Sequence, residues 1–177
     1  MLTSSFFRGL LIGRFQPFHL GHLVTVKYAL STAKELVVVI GSAQKSHEAR
    51  NPFTAGERIE MIRDSLHSDK EVSIDRILLI PVPDMEIHGL WTREVDLLVP
   101  RYNVVFTNDS FTRQLYLERG IKVIEPEMYK REVLSATEVR ARISKGGAWK
   151  KLVTNETARF IEEIGGVERI RHIYNLS

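Results

Sequence analysis

The 177-residue sequence contains no cysteine, which excludes disulfides and thiolate metal sites and is compatible with a reducing cytoplasm. Long apolar runs are also missing: no segment approaches the roughly 20 consecutive apolar residues that a membrane-spanning helix needs. Met1 to Arg8 offer no basic segment leading into a signal-type apolar stretch, so a cytoplasmic protein with no membrane partner is expected. Blocks of like charge are absent as well. The 25 Lys and Arg residues are scattered among 22 Asp and Glu, for a net charge of +3. Such a mild positive balance suits nucleic acid, small anions such as nucleotides, or neither. With no basic face carrying interleaved aromatics, nucleic acid is not an expected partner. No internal repeat, low-complexity tract or domain boundary is visible, and one domain over residues 1–177 is expected. A GxxxxGK[ST] loop is lacking, which argues against a Walker-type kinase. No GxGxxG follows the first strand-like segment, which argues against a dinucleotide-binding dehydrogenase.

What is present is an alternation of strand and helix signals. Phe6 to Ile12 reads as a strand closed by Gly13. Leu20 to Ala33 has helical spacing, with an apolar stripe of Leu20, Leu23, Val24, Val26, Lys27 and Leu30. Leu36 to Ile40 is an unbroken apolar run rich in valine, as a parallel strand buried on both faces requires. Gly41 to Pro52 is polar and reads as a loop. Thr54 and Glu57 form a capping-box pattern for a helix reaching Leu66. Strands follow at Arg76 to Pro81, Val104 to Thr107 and Ile121 to Ile124, with helices at Leu90 to Leu98 and Ser110 to Glu118 between them. Ser135 and Glu138 give a second capping-box pattern, for a helix to about Ser144. Two helical stretches, Asn155 to Ile164 and Val167 to Tyr174, complete the chain. The pattern predicts an α/β fold: a Rossmann-like, doubly wound, parallel five-stranded sheet with helices on both faces and further C-terminal helices. Ligands of such sheets bind beyond the carboxyl ends of the strands, near the point where strand order reverses.

The turn after the first strand carries the most unusual residues, Gly13-Arg-Phe-Gln-Pro-Phe-His-Leu-Gly-His22. Gly13 admits a close backbone approach, and Arg14 offers a planar cation suited to phosphate. His19 and His22 share one side of a helix start, where free N–H groups and the partial positive charge of the dipole favour an anion. The two histidines make a poor metal site, because no cysteine and no third ligand at suitable spacing accompanies them.

This turn resembles the signature of the nucleotidyltransferase superfamily that shares the HxGH motif. The superfamily's second motif, Ser-x-Thr-x-x-Arg, is matched by Ser135-Ala-Thr-Glu-Val-Arg140. Ser135 and Thr137 place hydroxyl and backbone N–H groups at a helix start, and Arg140 can reach an anion bound there. Further segments resemble archaeal-type nicotinamide-mononucleotide adenylyltransferases: Gly41-Ser-Ala-Gln-Lys-Ser-His47, Arg50-Asn-Pro-Phe-Thr-Ala-Gly-Glu-Arg58, Pro83-Asp84 to Leu90-Trp91, and Gly166-Val-Glu-Arg-Ile-Arg171. The resemblance implies transfer of AMP from ATP to nicotinamide mononucleotide, with magnesium or a similar divalent ion carried by ATP and no tightly bound protein-ligated metal. It implies an ATP site of Gly13, Phe15, His19, His22, Ser135, Thr137 and Arg140, in which His19, His22, Arg14 and Arg140 do the chemistry. It implies a mononucleotide site of Ser42, Arg50, Asp84, His88 and Trp91. There Arg50 would clamp a phosphate, Asp84 would accept hydrogen bonds, and Trp91 would stack on the cationic nicotinamide ring. One position departs from the pattern: an asparagine expected near position 88 is replaced by His88. Phosphopantetheine or flavin mononucleotide is the alternative acceptor, and a nucleotide sensor the alternative class. The same resemblance points to a homo-oligomer, with a hexamer as one form.

Overall fold

The computed structural model describes residues 6–126 and 134–175; Met1 to Ser5, read above for a leader, lie outside that range. Five strands, β1 (Phe6–Gly13), β2 (Ala33–Ile40), β3 (Ile77–Pro81), β4 (Val104–Phe106) and β5 (Val123–Ile124), form one sheet. The helices are α1 (Leu20–Thr32), α2 (Ala55–Ser68), α3 (Trp91–Leu98), α4 (Ser110–Glu118), α5 (Ala136–Ser144), α6 (Asn155–Glu163) and α7 (Gly166–Asn175). Two compact units can be told apart. Among the described residues the first holds 6–14, Thr25–Ala43 and 72–126; the second holds Phe15–Val24, Gln44–Glu71 and 134–175. The chain therefore passes from one unit to the other repeatedly.

The first unit contains the whole sheet. Every pairing is parallel and the order is β3-β2-β1-β4-β5, so strand order reverses beside β1, as in a doubly wound sheet. Leu36 to Ile40 are completely buried, which explains why β2 reads as an unbroken apolar run. On one face Leu10, Val37, Val39 and Val105 pack with Val95 of α3 and Tyr116 of α4. On the other face Phe106 meets the Tyr28 ring of α1. A Cβ at Gly9 would lie 2.5 Å from that Phe106 ring, so β1 has room there only for glycine. Helices thus cover both faces.

The elements match expectation closely, and the differences have local causes. The first helix stops at Thr32 and β2 starts earlier than Leu36, because Ala33 and Glu35 pair in register with Phe6 and Arg8. Arg8 also holds Glu35 through Nε at 2.9 Å. The apolar stripe of α1 is narrower than predicted: Val26, Ala29 and Leu30 are buried, whereas Val24 is 40% exposed. Arg76 precedes β3 instead of opening it. It sits in a 3₁₀ turn and donates to the Leu30 carbonyl in the last turn of α1 and to the Ala33 and Lys34 carbonyls at the start of β2.

The second unit is helical. Thr54 and Glu57 form the predicted reciprocal capping box at α2. The second predicted box is only half made. Ser135 Oγ accepts from the Glu138 N–H at 3.1 Å, but the Glu138 carboxylate pairs with Arg142 at 2.7 Å. A cluster of three buried hydroxyls, Ser65 with Thr154 and Thr157, ties α2 to α6 at 2.6 and 3.1 Å. Gly165, at φ +65°, ends α6, and Gly166 already belongs to α7. Among the described residues no helix is long and apolar enough to cross a membrane.

Candidate functional site

The turn that opens the second unit is built around buried rings. Phe15 adopts a positive φ of 52° and is buried, as is Phe18, and both ring systems pack against His22 at centroid distances of 4.8 and 5.5 Å. The His19 and His22 rings stack at 3.6 Å. Gly21 packs close to them: a Cβ there would stand 3.0 Å from the His19 ring, which would have to give way by a few tenths of an ångström. His22 Nδ1 accepts the His19 backbone N–H at 3.2 Å. That bond fixes the tautomer, leaving the proton of the neutral ring on Nε2.

Burial pushes the His19 pKa down to about 4, and His22 is held well below its ordinary value by burial and by the neighbouring His19 charge. Near neutral pH both rings are therefore uncharged donors. His19 Nδ1 is buried with no hydrogen-bond partner among the described residues, a polar atom awaiting one.

Helix α5 supplies the second group of predicted residues. Ser135 caps its start. Arg140 is buried, with Nη1 donating to the Gln16 carbonyl at 2.7 Å and Nη2 to Thr137 Oγ1 at 3.3 Å. Its Nε is buried and unpaired among the described residues. Arg140 thus also fastens α5 to the backbone of the histidine turn. His19, His22, Phe15, Ser135, Thr137 and Arg140 belong to one unit and one connected network.

The remaining predicted residues sit elsewhere. Gly13 ends β1 and accepts the Gly41 N–H at 2.9 Å, and Arg14 beside it is exposed. Ser42, just beyond β2, has a φ of 50° and donates to Asp84 Oδ1 at 3.0 Å, which joins two of the predicted mononucleotide contacts. Trp91 opens α3 half-buried against the sheet cluster, with its indole N–H on the Pro83 carbonyl at 2.8 Å. His88 is exposed in the 3₁₀ turn before it and lies edge-on to Phe111 at 6.5 Å. These residues belong to the first unit. Arg50 belongs to the second, exposed in a turn closed by the Glu48–Asn51 bridge. Among the described residues no group of three or more His, Cys, Asp and Glu side chains could hold a metal ion.

Residues 10–142 match the cytidylyltransferase-like family, a span that includes both motifs. The chain belongs to the cytidylyltransferase-like family. It is 46% identical over 167 residues to a nicotinamide-nucleotide adenylyltransferase of Pyrococcus horikoshii, covering 94% of this chain and 88% of that protein. It is 42% identical to the protein of that name from Saccharolobus solfataricus, covering 94% and 96% respectively. Among solved structures, a bifunctional NMN adenylyltransferase/ADP ribose pyrophosphatase of Francisella tularensis, complexed with AMP and a manganese ion, superposes with a TM-score of 0.81 at 24% identity. The alignment covers 95% of this chain but 52% of that one, so the chain spans about half its length and the likeness concerns the fold.

Within this cytidylyltransferase-like chain, two site-supporting residues carry roles that the sequence did not reveal. Gln16 is 1% exposed, and its side-chain amide makes a two-way clasp with Phe53, donating to the carbonyl and accepting from the N–H, both at 2.9 Å. Its one signal is its place among Phe15, Pro17 and Phe18, where a polar side chain must find buried partners. Arg58, fully buried, donates from Nε to the Thr54 carbonyl at 3.1 Å; nothing in its polar, helical sequence context announces that burial.

Proposed function

We propose that the chain transfers the AMP unit of ATP to nicotinamide mononucleotide, giving NAD and pyrophosphate. The carrying observation is the stacked His19–His22 pair at a helix start, with His22 Nδ1 held by the His19 backbone N–H. The relatives at 42–46% identity support the nicotinamide nucleotide as acceptor. In this reading an oxygen of the mononucleotide 5′-phosphate attacks the α-phosphorus of ATP. The bond from that phosphorus to the bridging oxygen breaks, and pyrophosphate leaves with inversion. Such transfers depend on positioning and charge neutralisation rather than on a covalent intermediate.

His22 is assigned to the α-phosphate, where charge develops, and His19 to the adjoining phosphates. Phe15 and Gly13 shape the turn, and Ser135 and Thr137 face the triphosphate from α5. Arg14 and Arg140 are assigned to the departing β- and γ-phosphates, Arg140 also anchoring the histidine turn. Ser42, Asp84, His88 and Trp91 are assigned to the nucleoside of the mononucleotide, and Arg50 to its phosphate. Magnesium enters as part of the ATP substrate. We treat residues 1–177 as one functional domain acting as a homo-oligomer in the cytoplasm. Sedimentation of the purified protein tests the assembly.

The test of the acceptor is pyrophosphate release from ATP and magnesium with nicotinamide mononucleotide, nicotinic acid mononucleotide, phosphopantetheine or flavin mononucleotide in separate reactions. Release that is fastest with nicotinamide mononucleotide is expected. Release with phosphopantetheine or flavin mononucleotide alone would keep the reaction and replace the acceptor. No release from a folded, ATP-binding protein would favour a sensor.

A further inference from the structure

Two of the segments singled out in the sequence, Arg50 to Arg58 and Gly166 to Arg171, acquire a common purpose in the second unit. Arg169 of α7 grips the Glu57 carboxylate with both terminal nitrogens, Nη1 to Oε2 at 2.7 Å and Nη2 to Oε1 at 2.8 Å. Nη1 also donates to the Pro52 carbonyl at 3.2 Å, and the guanidinium lies 5.9 Å from the Phe53 ring centroid. Glu57 in turn accepts the Thr54 N–H at 2.8 Å. Gly166, on the same helix, backs the same ring: a Cβ there would fall 3.0 Å from Phe53 and 2.9 Å from the Ile161 carbonyl, so α7 can seat against it only with glycine. The Gln16 amide holds Phe53 by both main-chain polar groups. Pro52, Phe53 and Thr54 are therefore fixed by α7 and by the histidine turn together. Two residues before Pro52 stands the exposed Arg50.

We propose that Glu57 and Arg169 are positioning residues that hold the Arg50 turn in register with the histidine turn, so that Arg50 meets the mononucleotide phosphate. A bidentate arginine–carboxylate pair fixes orientation as well as distance, which a lysine cannot reproduce. A generic helix-to-helix tie would need neither the third bond to Pro52 nor the glycine beneath Phe53. The inference rests on the proposed role of Arg50 and specifies what makes that role possible.

The experiment measures KM for the mononucleotide, KM for ATP and kcat in the full-length enzyme and in four variants: Arg50→Ala, Arg169→Lys, Glu57→Gln and Arg169→Lys combined with Arg50→Ala. Glu57→Gln keeps an acceptor for the Thr54 N–H and Arg169→Lys keeps the charge, so both are expected to fold, as thermal melting will check. Expected is a rise of about tenfold in KM for the mononucleotide in each single variant, one tenfold step being about 1.4 kcal/mol. KM for ATP and kcat should stay within about twofold, and the double variant should be no worse than Arg50→Ala. Additive losses, or an equal loss in KM for ATP, would overturn the positioning role while leaving Arg50 as a phosphate ligand. An Arg50→Ala enzyme with unchanged KM would overturn both.

Discussion

The histidine turn and the stretch from Pro83 to Trp91 are organised in opposite ways. In the first, Phe15, Gln16, Phe18 and His19 are buried, and the Gln16 amide and Arg140 Nη1 are tied to main chain. In the second, Ile87, His88, Gly89 and Leu90 are exposed, and two side-chain bonds stand out: Trp91 to Pro83, and Ser42 to Asp84. Groups that stabilise a charge developing in the reaction must be preorganised, because reorganising them during the reaction adds to the barrier. Groups that recognise the organic part of an acceptor can sit on a looser, exposed surface and change without disturbing the reaction. In the proposed reading, the buried turn serves the chemistry and the exposed stretch the choice of acceptor.

The largest effect should come from the rigid region. His22→Ala should lower kcat by about 10²–10³-fold, the loss typical of a donor acting chiefly in the transition state, with an unchanged circular-dichroism spectrum. Steady-state kinetics with both substrates saturating measure it. A loss confined to KM would place His22 with ordinary binding groups and erase the contrast.

The next concerns acid. A histidine whose folded pKa lies below its unfolded value of 6.5 binds fewer protons when folded between those two values, so stability rises with pH there. For His19, with a folded pKa of about 4, stability should fall as pH drops from about 6.5 towards 4, by roughly 3 kcal/mol at most. Urea titrations at pH 7, 5.5 and 4.5 would read this, and His19→Gln should flatten the slope.

Arg140→Ala removes a buried donor from the Gln16 carbonyl and should lower stability by about 1–3 kcal/mol, again by urea titration. An unchanged midpoint would mean that the turn is held without it. Smallest is Trp91→Ala, which should raise KM for the mononucleotide about tenfold and leave kcat near its starting value, as expected for loss of a cation–π contact. A large fall in kcat would show that the exposed region also shapes the reaction.

The fold was legible because its signals are local. The unbroken run of Leu36 to Ile40, the Thr54–Glu57 box and the Gly13 stop each follow from nearest-neighbour physics. The structure brings the predicted His19, Gly21 and His22 together, as their spacing within one helical turn implies. The roles of Gln16, Arg140 and Arg169 escaped because their partners, Phe53, the Gln16 carbonyl and Glu57, lie 37, 124 and 112 residues away. No periodicity encodes such pairings. Val24 misled for the opposite reason, since an apolar residue at helical spacing need not be covered.

The most direct measurement follows NAD formation with a coupled dehydrogenase, from ATP, magnesium and nicotinamide mononucleotide, with wild-type protein beside His22→Ala. NAD from the wild type, with the rate in the variant lower by about 10²–10³-fold, is the predicted result. No NAD from folded wild-type protein, or an equal rate from His22→Ala, would contradict the assignment of adenylyl transfer to this turn.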